Sequence, residues 1–312
     1  MIDVIIACWN RAETIERAIS SALSQEHLGR VIVVDDGSSD DTPERIGLLA
    51  ARDSRIVLIR KTVNEGPSAA RNAALGASTA PWFTILDGDD FFLPGRLAGL
   101  LAFAKGYDFI ADNLLQIKEH EAADHPPTLM IPEAEFPLQT LDFQTFVLGN
   151  VSRPGVQRKE LGFFKPLIQR DFIEKNHLEY DRQMRLGEDF FFYAAALLKG
   201  ARFRLVPSQG YVSVIRAGSL SGSHNQRDLE RLRDCGFALR SLATSPEDRL
   251  ALQEHYRSVD CRVQWLAVIQ AVKDRSGVAL AKAFFRSWKV SRFLVARLAE
   301  QVRLRLLSHG KA

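Results

Sequence analysis

Three carboxylates stand within four positions in the segment Asp87-Gly88-Asp89-Asp90, directly after the apolar, β-favouring run at residues 82–86. An apolar run that stops at a polar cluster is typical of a buried strand that ends at a site. Ionised carboxylates this close repel one another, and a hard divalent cation carrying phosphates would satisfy them. A solvated Asp-Gly turn is the alternative, and this segment alone does not decide between the two.

A second acidic pair, Glu188 and Asp189, precedes the apolar stretch at residues 190–198. One interpretation is structural, because acidic side chains are favourable at a helix N-terminus. The other is chemical: a carboxylate anchored on a rigid helix can act as a general base toward a reacting hydroxyl. Both interpretations stay open on these residues alone.

The elements that must position these acids alternate between strand and helix patterns over the first hundred residues. Apolar runs predict strands at 3–8, 31–34, 56–59 and 82–86, with helices opening at a capping box from Asn10 to Glu13, at Thr42-Pro43, at Pro67 and at Pro94. Strands that are apolar throughout predict a mostly parallel sheet covered by helices on both faces. Such sheets bind ligands beyond the carboxyl ends of their strands, where Trp9-Asn10, Asp35-Asp36 and the acidic segment 87–90 fall.

The pattern loosens after residue 112. Residues 119–137 are polar with four prolines and predict a surface loop, while helices are predicted around 167–176 and 188–199, and strands at 202–206 and 211–215. A Gly/Ser-rich loop at 218–224 leads to a region that is helical from 228 onward. We therefore divide the chain into two α/β halves (1–112 and 113–225) and a helical extension (226–312).

Composition narrows the class of protein. The chain is 46% hydrophobic and 25% charged, as soluble globular proteins are, and three widely spaced cysteines give neither a disulfide framework nor a metal-ligand spacing. No signal-peptide pattern and no apolar run of about 18 residues is present, so we expect a cytoplasmic protein. The absence of a Gly-x-Gly-x-x-Gly segment after the first strand and of a Gly-Lys-Ser/Thr segment excludes a dinucleotide fingerprint and a P-loop.

Basic charge is concentrated at the C-terminal end. Residues 280–312 hold eight lysines and arginines against one acid, which leaves 33 basic and 37 acidic residues in 1–279. Apolar side chains recur there at helical spacing: Phe284, Trp288, Val295, Leu298, Val302 and Leu306. Such a helix either lies on an anionic membrane surface or packs on the domain with a solvated basic face, and both interpretations stay open. The acidic remainder argues against nucleic acid as a partner.

Five segments in a fixed order resemble family 2 of the nucleotide-sugar glycosyltransferases. They are Ile-Ile-Ala-Cys-Trp-Asn-Arg at 5–11, Val-Val-Asp-Asp-Gly-Ser-Ser-Asp-Asp-Thr at 33–42, Asn-Glu-Gly-Pro-Ser-Ala-Ala-Arg-Asn at 64–72, Leu-Asp-Gly-Asp-Asp at 86–90 and Gly-Glu-Asp at 187–189. The resemblance covers residues 1–225 and is strongest to bacterial exopolysaccharide transferases of the succinoglycan type. It implies an inverting enzyme with the GT-A fold, an α/β architecture with a Rossmann-like, mostly parallel sheet flanked by helices.

The resemblance also implies roles for individual donor-site residues. Ala7 and Trp9 would line the nucleobase pocket, with Trp9 replacing the tyrosine usual in the family. Asp35 and Asp36 would bind the base, Arg71 would face the base or pyrophosphate, Asp87 would bind the ribose, and Asp89 would hold a Mn²⁺ or Mg²⁺ on the diphosphate. For Asp90 two roles stay open: it binds a ligand, or it only shapes the loop.

The same resemblance implies that residues 1–112 form the nucleotide-sugar-binding half and residues 113–225 the acceptor half that carries the base. Asp189 matches the family's catalytic base, with Glu188 beside it. Arg216, Ser219, Ser221 and His224 match a loop that closes over the diphosphate, with His224 as a further metal ligand. A linker to the helical extension is the alternative for this loop, and the two interpretations stay open.

The expected activity is transfer of a sugar from a UDP-sugar, by default UDP-glucose, to a hydroxyl of a glycan or lipid-linked oligosaccharide. A site at the inner face of the cell membrane, reached through the C-terminal helices, is compatible with this activity. Two rival functions are a nonenzymatic nucleotide-sugar-binding protein and a nucleotidyltransferase. The segment Ala7-Cys8-Trp9-Asn10-Arg11 lacks the glycines that usually hold the triphosphate in nucleotidyltransferases.

Overall fold

The computed structural model describes residues 1–121, 125–152, 158–216 and 225–309, with side chains to residue 303 in the last range. The strands are, in chain order, β1 (Ile2–Cys8), β2 (Leu28–Asp35), β3 (Ile56–Arg60), β4 (Trp82–Ile85), β5 (Phe91–Phe92), β6 (Phe109–Asp112), β7 (Leu115–Lys118), β8 (Thr128–Leu129), β9 (Gln139–Leu141), β10 (Leu167–Gln169), β11 (Phe203–Val206) and β12 (Tyr211–Ile215). The α-helices are α1 (Ile15–Leu23), α2 (Thr42–Ala50), α3 (Pro67–Ala77), α4 (Arg96–Ala102), α5 (Phe143–Gly149), α6 (Arg170–Lys175), α7 (Glu188–Leu198), α8 (Gln226–Ala238), α9 (Pro246–Lys273), α10 (Gly277–Phe284) and α11 (Trp288–His309).

Eight strands form the main sheet in the order β3-β2-β1-β4-β10-β6-β11-β9. Strands β1 to β4 are parallel to one another, and β6 is parallel to β11. Strand β10 is antiparallel to both β4 and β6, and β9 is antiparallel to β11. The sheet is thus mostly parallel, as predicted, and it continues across the predicted boundary at residue 112. The central strands are apolar because helices cover both faces.

The predicted helix at 167–176 is wrong in its first third. Residues 167–169 form strand β10, and α6 begins only at Arg170. Leu167 and Ile168 are fully buried between two neighbouring strands. Short apolar runs fit a strand or a helix equally well, and the pairing partners, which are distant in sequence, decide between them.

The predicted capping box at Asn10 is also wrong, because α1 begins five residues later at Ile15. Asn10 has a left-handed backbone with φ of +52°, and its Oδ1 accepts a hydrogen bond from the Ser39 N–H at 2.9 Å. The Asn10 N–H donates to Ser38 Oγ at 2.9 Å. An asparagine that bonds a neighbouring loop is no longer available as a helix cap.

A second sheet, with strand order β5-β12-β7-β8, stands beside the main sheet and was not predicted. It includes residues 128–129 of the segment expected to be a loop, since a strand of two residues carries no periodic signal. This sheet supplies one wall of the cleft described below.

The helical extension packs in two layers. Helices α8 and α9 lie against the main core, and α10 and α11 lie on α9 through a separate apolar cluster that includes Val290 and Leu294. Another face of α11 stays uncovered, with Trp288 81% exposed and Val295, Leu298 and Val302 exposed as well. Within the described residues, no helix is long and apolar enough to cross a membrane.

Candidate active site

The predicted site lies in one cleft at the carboxyl ends of β1, β2 and β4. Register places these ends at the same edge, since Cys8 pairs with Asp35 and Ile5 with Ile85. The cleft has a volume of about 540 Å³. Its walls come from residues 1–112, the second sheet, α7 and the extension helices α8 and α9. A cleft beyond the strand ends is the expected location for a ligand in this architecture.

Two buried cations hold the acids of the two halves together. Arg71 Nη1 lies 2.6 Å from Glu188 Oε1 and 3.1 Å from Asp189 Oδ1, and Arg71 Nη2 lies 3.1 Å from Asp87 Oδ1. Lys165 Nζ lies 2.7 Å from Asp189 Oδ2 and 3.1 Å from Asp87 Oδ2. Asp87 and Asp189, 102 positions apart in the chain, are therefore bridged by a single ammonium group.

The ion pairs decide the protonation of this network. Burial alone would lower the pKa of Lys165, but Asp189 and Asp87 outweigh it and raise the pKa well above its usual value. Burial likewise opposes ionisation of Asp87, yet Lys165 and Arg71 bring its pKa below the usual range. The carboxylate of Asp87 is thus charged at neutral pH and held by two cations.

Asp89 is in a different electrostatic environment. Burial, followed by the charge of Asp87, raises its pKa, and its ion-pair partner is Arg11, whose Nε lies 3.3 Å from Oδ2. A carboxylate beside a like charge and facing a cleft is a suitable ligand for a hard divalent cation.

Asp90 also lines the cleft, but both of its carboxylate oxygens are bound by the protein. Its Oδ2 accepts a hydrogen bond from Tyr211 Oη and its Oδ1 accepts one from the Val214 N–H, both at 2.8 Å. Burial and the neighbouring carboxylates of Asp87 and Asp89 raise its pKa to about 8. These contacts attach the acidic loop to β12.

The residues expected around the nucleobase are partly brought together. Ala7, Trp9 and Asp36 line the cleft, and Trp9 is 47% exposed there. Asp36 accepts hydrogen bonds from the N–H groups of Glu65 and Gly66 at 3.2 and 2.7 Å. The side chain of Asp35 is fully buried outside the cleft lining and accepts from the Ser38 N–H at 3.3 Å, so Asp36 is the acid of this pair that faces the ligand space.

The position of Asp189 depends on the preceding Gly187 and on the start of helix α7. Gly187 has φ of +72°, and a Cβ there would lie 2.5 Å from Leu232 Cδ1, so the Gly-Glu-Asp segment requires glycine first. Glu188 and Asp189 then occupy the first turn of α7. Asp189 is only 6% exposed, and its Oδ1 accepts no hydrogen bond from the described residues. That oxygen is buried 3.1 Å from Arg71 Nη1 and keeps lone-pair capacity for a proton.

The predicted closing loop is described only at its first residue. Arg216 directly follows β12, and its Nη2 lies 3.2 Å from Glu119 Oε1. Burial and Asp87 raise the pKa of Asp89, and the charge of Arg216 offsets a part of this rise. Ser219, Ser221 and His224 lie outside the described residues.

The residues present fit a Mn²⁺ or Mg²⁺ ion that is shared with a ligand. No group of three or more His, Cys, Asp or Glu side chains in the described ranges is arranged to hold an ion alone. Mg²⁺ and Mn²⁺ favour carboxylate and water ligands, and Mg²⁺ in particular is held by one or two carboxylates together with substrate phosphates. Asp89 supplies such a carboxylate at the cleft.

Several cleft residues were not predicted from the sequence. Lys165 follows no motif, and the extension contributes Leu232, His255, Ser258, Val259 and Arg262 to the wall. The helical periodicity of α9 signals its apolar face, but a cleft-facing residue on such a helix looks like any other polar position.

Comparison with known proteins agrees with this architecture. The family model described as Glycosyl transferase family 2 matches residues 3–172. The succinoglycan biosynthesis protein ExoU of Rhizobium meliloti is 41% identical over 266 residues, covering 84% of this chain and 76% of that protein.

Two solved structures are similar in fold. TarS of S. aureus in complex with UDP-GlcNAc is 16% identical with a TM-score of 0.59 and 91% coverage of both chains. The mannosyltransferase PcManGT of Pyrobaculum calidifontis in complex with GDP-Man and Mn²⁺ is 17% identical with a TM-score of 0.57, covering 96% of this chain and 86% of that one. These likenesses confirm the expected GT-A fold. The family model spans more than half of this chain, and ExoU is similar to it over most of both chains. This protein therefore belongs to glycosyl transferase family 2.

Proposed function

We propose that this protein is a metal-dependent inverting glycosyltransferase that moves a sugar from a UDP-sugar to an acceptor hydroxyl in bacterial exopolysaccharide synthesis. The main support is the bridge made by Lys165, whose Nζ contacts both Asp87 and Asp189. It holds a donor-side acid and a base candidate at opposite sides of one small gap. Sugar transfer between two substrates requires that the group that binds the donor and the base that takes the acceptor's proton are held at a fixed distance from each other.

The donor side offers complementary groups for a nucleoside diphosphate. Trp9 presents an exposed ring on which a base can stack, and Asp36 and Asp87 are acceptors for base N–H and ribose hydroxyl groups. Arg71 provides positive charge for the diphosphate. Asp89 would hold Mn²⁺ or Mg²⁺. When bound, the ion supplies Lewis-acid stabilisation of the leaving diphosphate.

Asp189 is the base in this proposal. The acceptor hydroxyl attacks the anomeric carbon from the face opposite the leaving group, and its proton passes to Asp189 Oδ1. Arg71 and Lys165 hold the carboxylate in one orientation before the proton arrives. Glu188, which shares Arg71, keeps that guanidinium in place.

The identity of the substrates rests on similar proteins. TarS was solved with UDP-GlcNAc and PcManGT with GDP-Man, so relatives in fold use different bases. We take UDP-glucose as the first donor to test. ExoU is named for succinoglycan biosynthesis, which supports a glycan or lipid-linked oligosaccharide as the acceptor.

The uncovered face of α11 supports a peripheral membrane location at the inner face of the cell membrane. Trp288 and Val295 are exposed beside basic residues, and apolar side chains flanked by lysines and arginines suit an anionic lipid surface. We expect co-sedimentation with vesicles of anionic phosphatidylglycerol and a blue shift of Trp288 fluorescence. Equal binding to neutral phosphatidylcholine vesicles, or unchanged binding of Trp288→Ala with Val295→Ser, would contradict this location.

A panel of nucleotide sugars with and without Mn²⁺ tests the donor proposal. Thermal unfolding is expected to shift upward with one nucleotide class only, and more so with the metal. UDP-glucose hydrolysis or transfer to a lipid-linked acceptor should accompany the shift. No response to any donor would contradict the proposed function, and pyrophosphate release from UTP with glucose 1-phosphate would identify a nucleotidyltransferase instead.

A further inference from the structure

The wall of the cleft on the extension side is basic. Arg158 stands before the short 3-10 turn Leu161–Phe163, and His255 and Arg262 come from α9. Seven positions separate His255 from Arg262, which is close to two full helical turns, so both lie on the same face of α9. The family resemblance, which ends at residue 225, gives α9 no role.

This wall is firmly attached beside the base candidate. The ring of His255 stacks on Phe190, the residue after Asp189, with centroids 4.3 Å apart and planes at 15°. The Ser152 N–H donates to Ser258 Oγ at 3.1 Å, and Gln144 Nε2 donates to Asp248 Oδ1 at 2.7 Å. Because several contacts join α9 to the acceptor half, its cleft-facing residues are held in place relative to Asp189.

Positive charge at this wall is incompletely neutralised. Arg158 is paired with Glu160, a residue with a left-handed backbone at φ of +52°. Arg262 forms no ion pair with any residue in the described ranges, and burial together with the charge of Arg158 lowers its pKa, while Glu160 opposes this effect. Two guanidinium groups therefore stand near one carboxylate beside the cleft, and only Arg158 is paired with it.

His255 adds an unused polar group at the same place. It is 3% exposed, and its Nδ1 is buried without a hydrogen-bond partner among the described residues, near the position that a Cβ on Gly236 would occupy. Nε2, on the other side of the ring, is the nitrogen left for the cleft. Burial, Arg158 and Arg262 lower the His255 pKa to about 3, so the ring is neutral at pH 7.

We propose that Arg158, His255 and Arg262 form a subsite for an anionic group, a phosphate or a carboxylate, carried by the acceptor. The proposal rests on the glycosyltransferase function proposed above and adds the chemical class of the acceptor. Guanidinium groups bind both kinds of anion through paired N–H donors. A half-buried arginine beside a like charge becomes stabilised only when an anion arrives. The exposed ring of Phe163 nearby can pack on the sugar that bears this anion.

The first test is a calorimetric titration in saturating UDP and Mn²⁺, which occupy the donor site. The three probes are glucose 1-phosphate, glucuronate and neutral methyl glucoside. We expect at least one of the two anions to bind about ten-fold or more tightly than methyl glucoside, and the better anion distinguishes a phosphate from a carboxylate on the acceptor. Arg262→Gln and Arg158→Gln should each remove this preference.

Arg257→Gln is the matched control, because Arg257 lies on the same helix but is exposed and paired with Glu254. It should bind all three probes as the wild type does. A second readout uses ¹⁵N-histidine spectra, in which the anion should shift the His255 ring signals and raise its pKa. A merely structural His255 would keep its signals unchanged.

Equal binding of charged and neutral probes, or unchanged anion binding in Arg262→Gln, would overturn the subsite. UDP binding in the same samples separates this failure from that of the proposed function. If the wild type binds UDP but shows no anion preference, only the subsite is wrong. If the wild type fails to bind UDP, the glycosyltransferase proposal is wrong, and the subsite that rests on it falls too.

Discussion

Carboxylates stand at both ends of the main sheet, in opposite surroundings. At the amino end, Asp3 is 1% exposed and accepts hydrogen bonds from Ser78 Oγ at 2.8 Å and from the backbone N–H groups of Arg30 and Thr79 at 2.9 and 3.0 Å. At the carboxyl end, Asp89 faces a cleft beside other acids. An acid whose acceptor positions are filled by the protein is structural, whereas an acid held near like charges is available to a ligand.

The pKa values of Asp3 and Asp89 differ in the same way. Burial opposes ionisation at both ends, but hydrogen bonds from Ser78 and three backbone N–H groups bring the pKa of Asp3 below its usual value. Burial and Asp87 raise the pKa of Asp89. Whether a buried acid is structural or available to a ligand is therefore better predicted by the hydrogen-bond donors around it than by its burial.

Asp189→Asn tests the functional end with the largest expected effect. Without a base, sugar transfer should fall about a thousand-fold, within the range typical of general-base catalysis, while UDP-sugar binding persists. The measurement is the initial rate of transfer together with donor affinity by calorimetry. Asp171→Asn, an exposed acid on α6, serves as the control. Transfer that stays within a few-fold of the wild type would remove Asp189 from the base role.

Lys165→Met tests the bridge between the two halves. Loss of one buried partner leaves Asp87 and Asp189 with Arg71 alone, so unfolding should be easier by about 3 kcal/mol, the low end for a broken buried ion pair. Urea unfolding measures this loss. Lys165→Arg should recover part of it, and Lys159→Met, an exposed lysine nearby, should cost little. A stability equal to the wild type would show that the bridge does not hold the halves.

Asp89→Asn tests the acid assigned to the metal. Transfer should fall about 100-fold, as expected from losing several kcal/mol of charge stabilisation, and the extra thermal shift caused by Mn²⁺ with UDP should disappear. Asp41→Asn, an exposed acid before α2, is the matched control. A variant whose unfolding temperature still responds to Mn²⁺ would place the metal elsewhere.

The cleft wall formed by residues 1–112 could be predicted from the sequence, because its residues directly follow strands. Trp9, Asp36 and Asp89 each come within a few positions of an apolar run, so local pattern places them at one edge. Asp35, one position earlier, matched the same pattern but points away from the cleft, since successive side chains in an extended chain face opposite sides.

The cleft wall that includes Lys165 and His255 could not be predicted from the sequence, because segments that are distant in the chain form it. Lys165 precedes a three-residue strand whose paired residues are about 58 and 85 positions away in the chain. His255 comes from helix α9, which packs on α5. Periodicity places such residues on an element, but only tertiary packing decides which face meets the cleft. For the same reason, the sequence pattern predicted a helix at residues 167–169, which form strand β10.

Asp3→Asn probes the structural end and carries the smallest expected effect. An amide in place of the carboxylate would turn an NH₂ group toward donors that Asp3 now accepts from, so the free energy of unfolding should fall by about 2 kcal/mol at pH 7. Because the folded pKa is lowered, this stabilisation is present above the unfolded value of about 3.8 and is lost as pH falls through the folded pKa. Urea unfolding at pH 7 and pH 3 should therefore show the gap between wild type and variant narrowing in acid. Sugar transfer by folded Asp3→Asn should match the wild type, and a loss of transfer without a loss of stability would contradict the division between the two ends of the sheet.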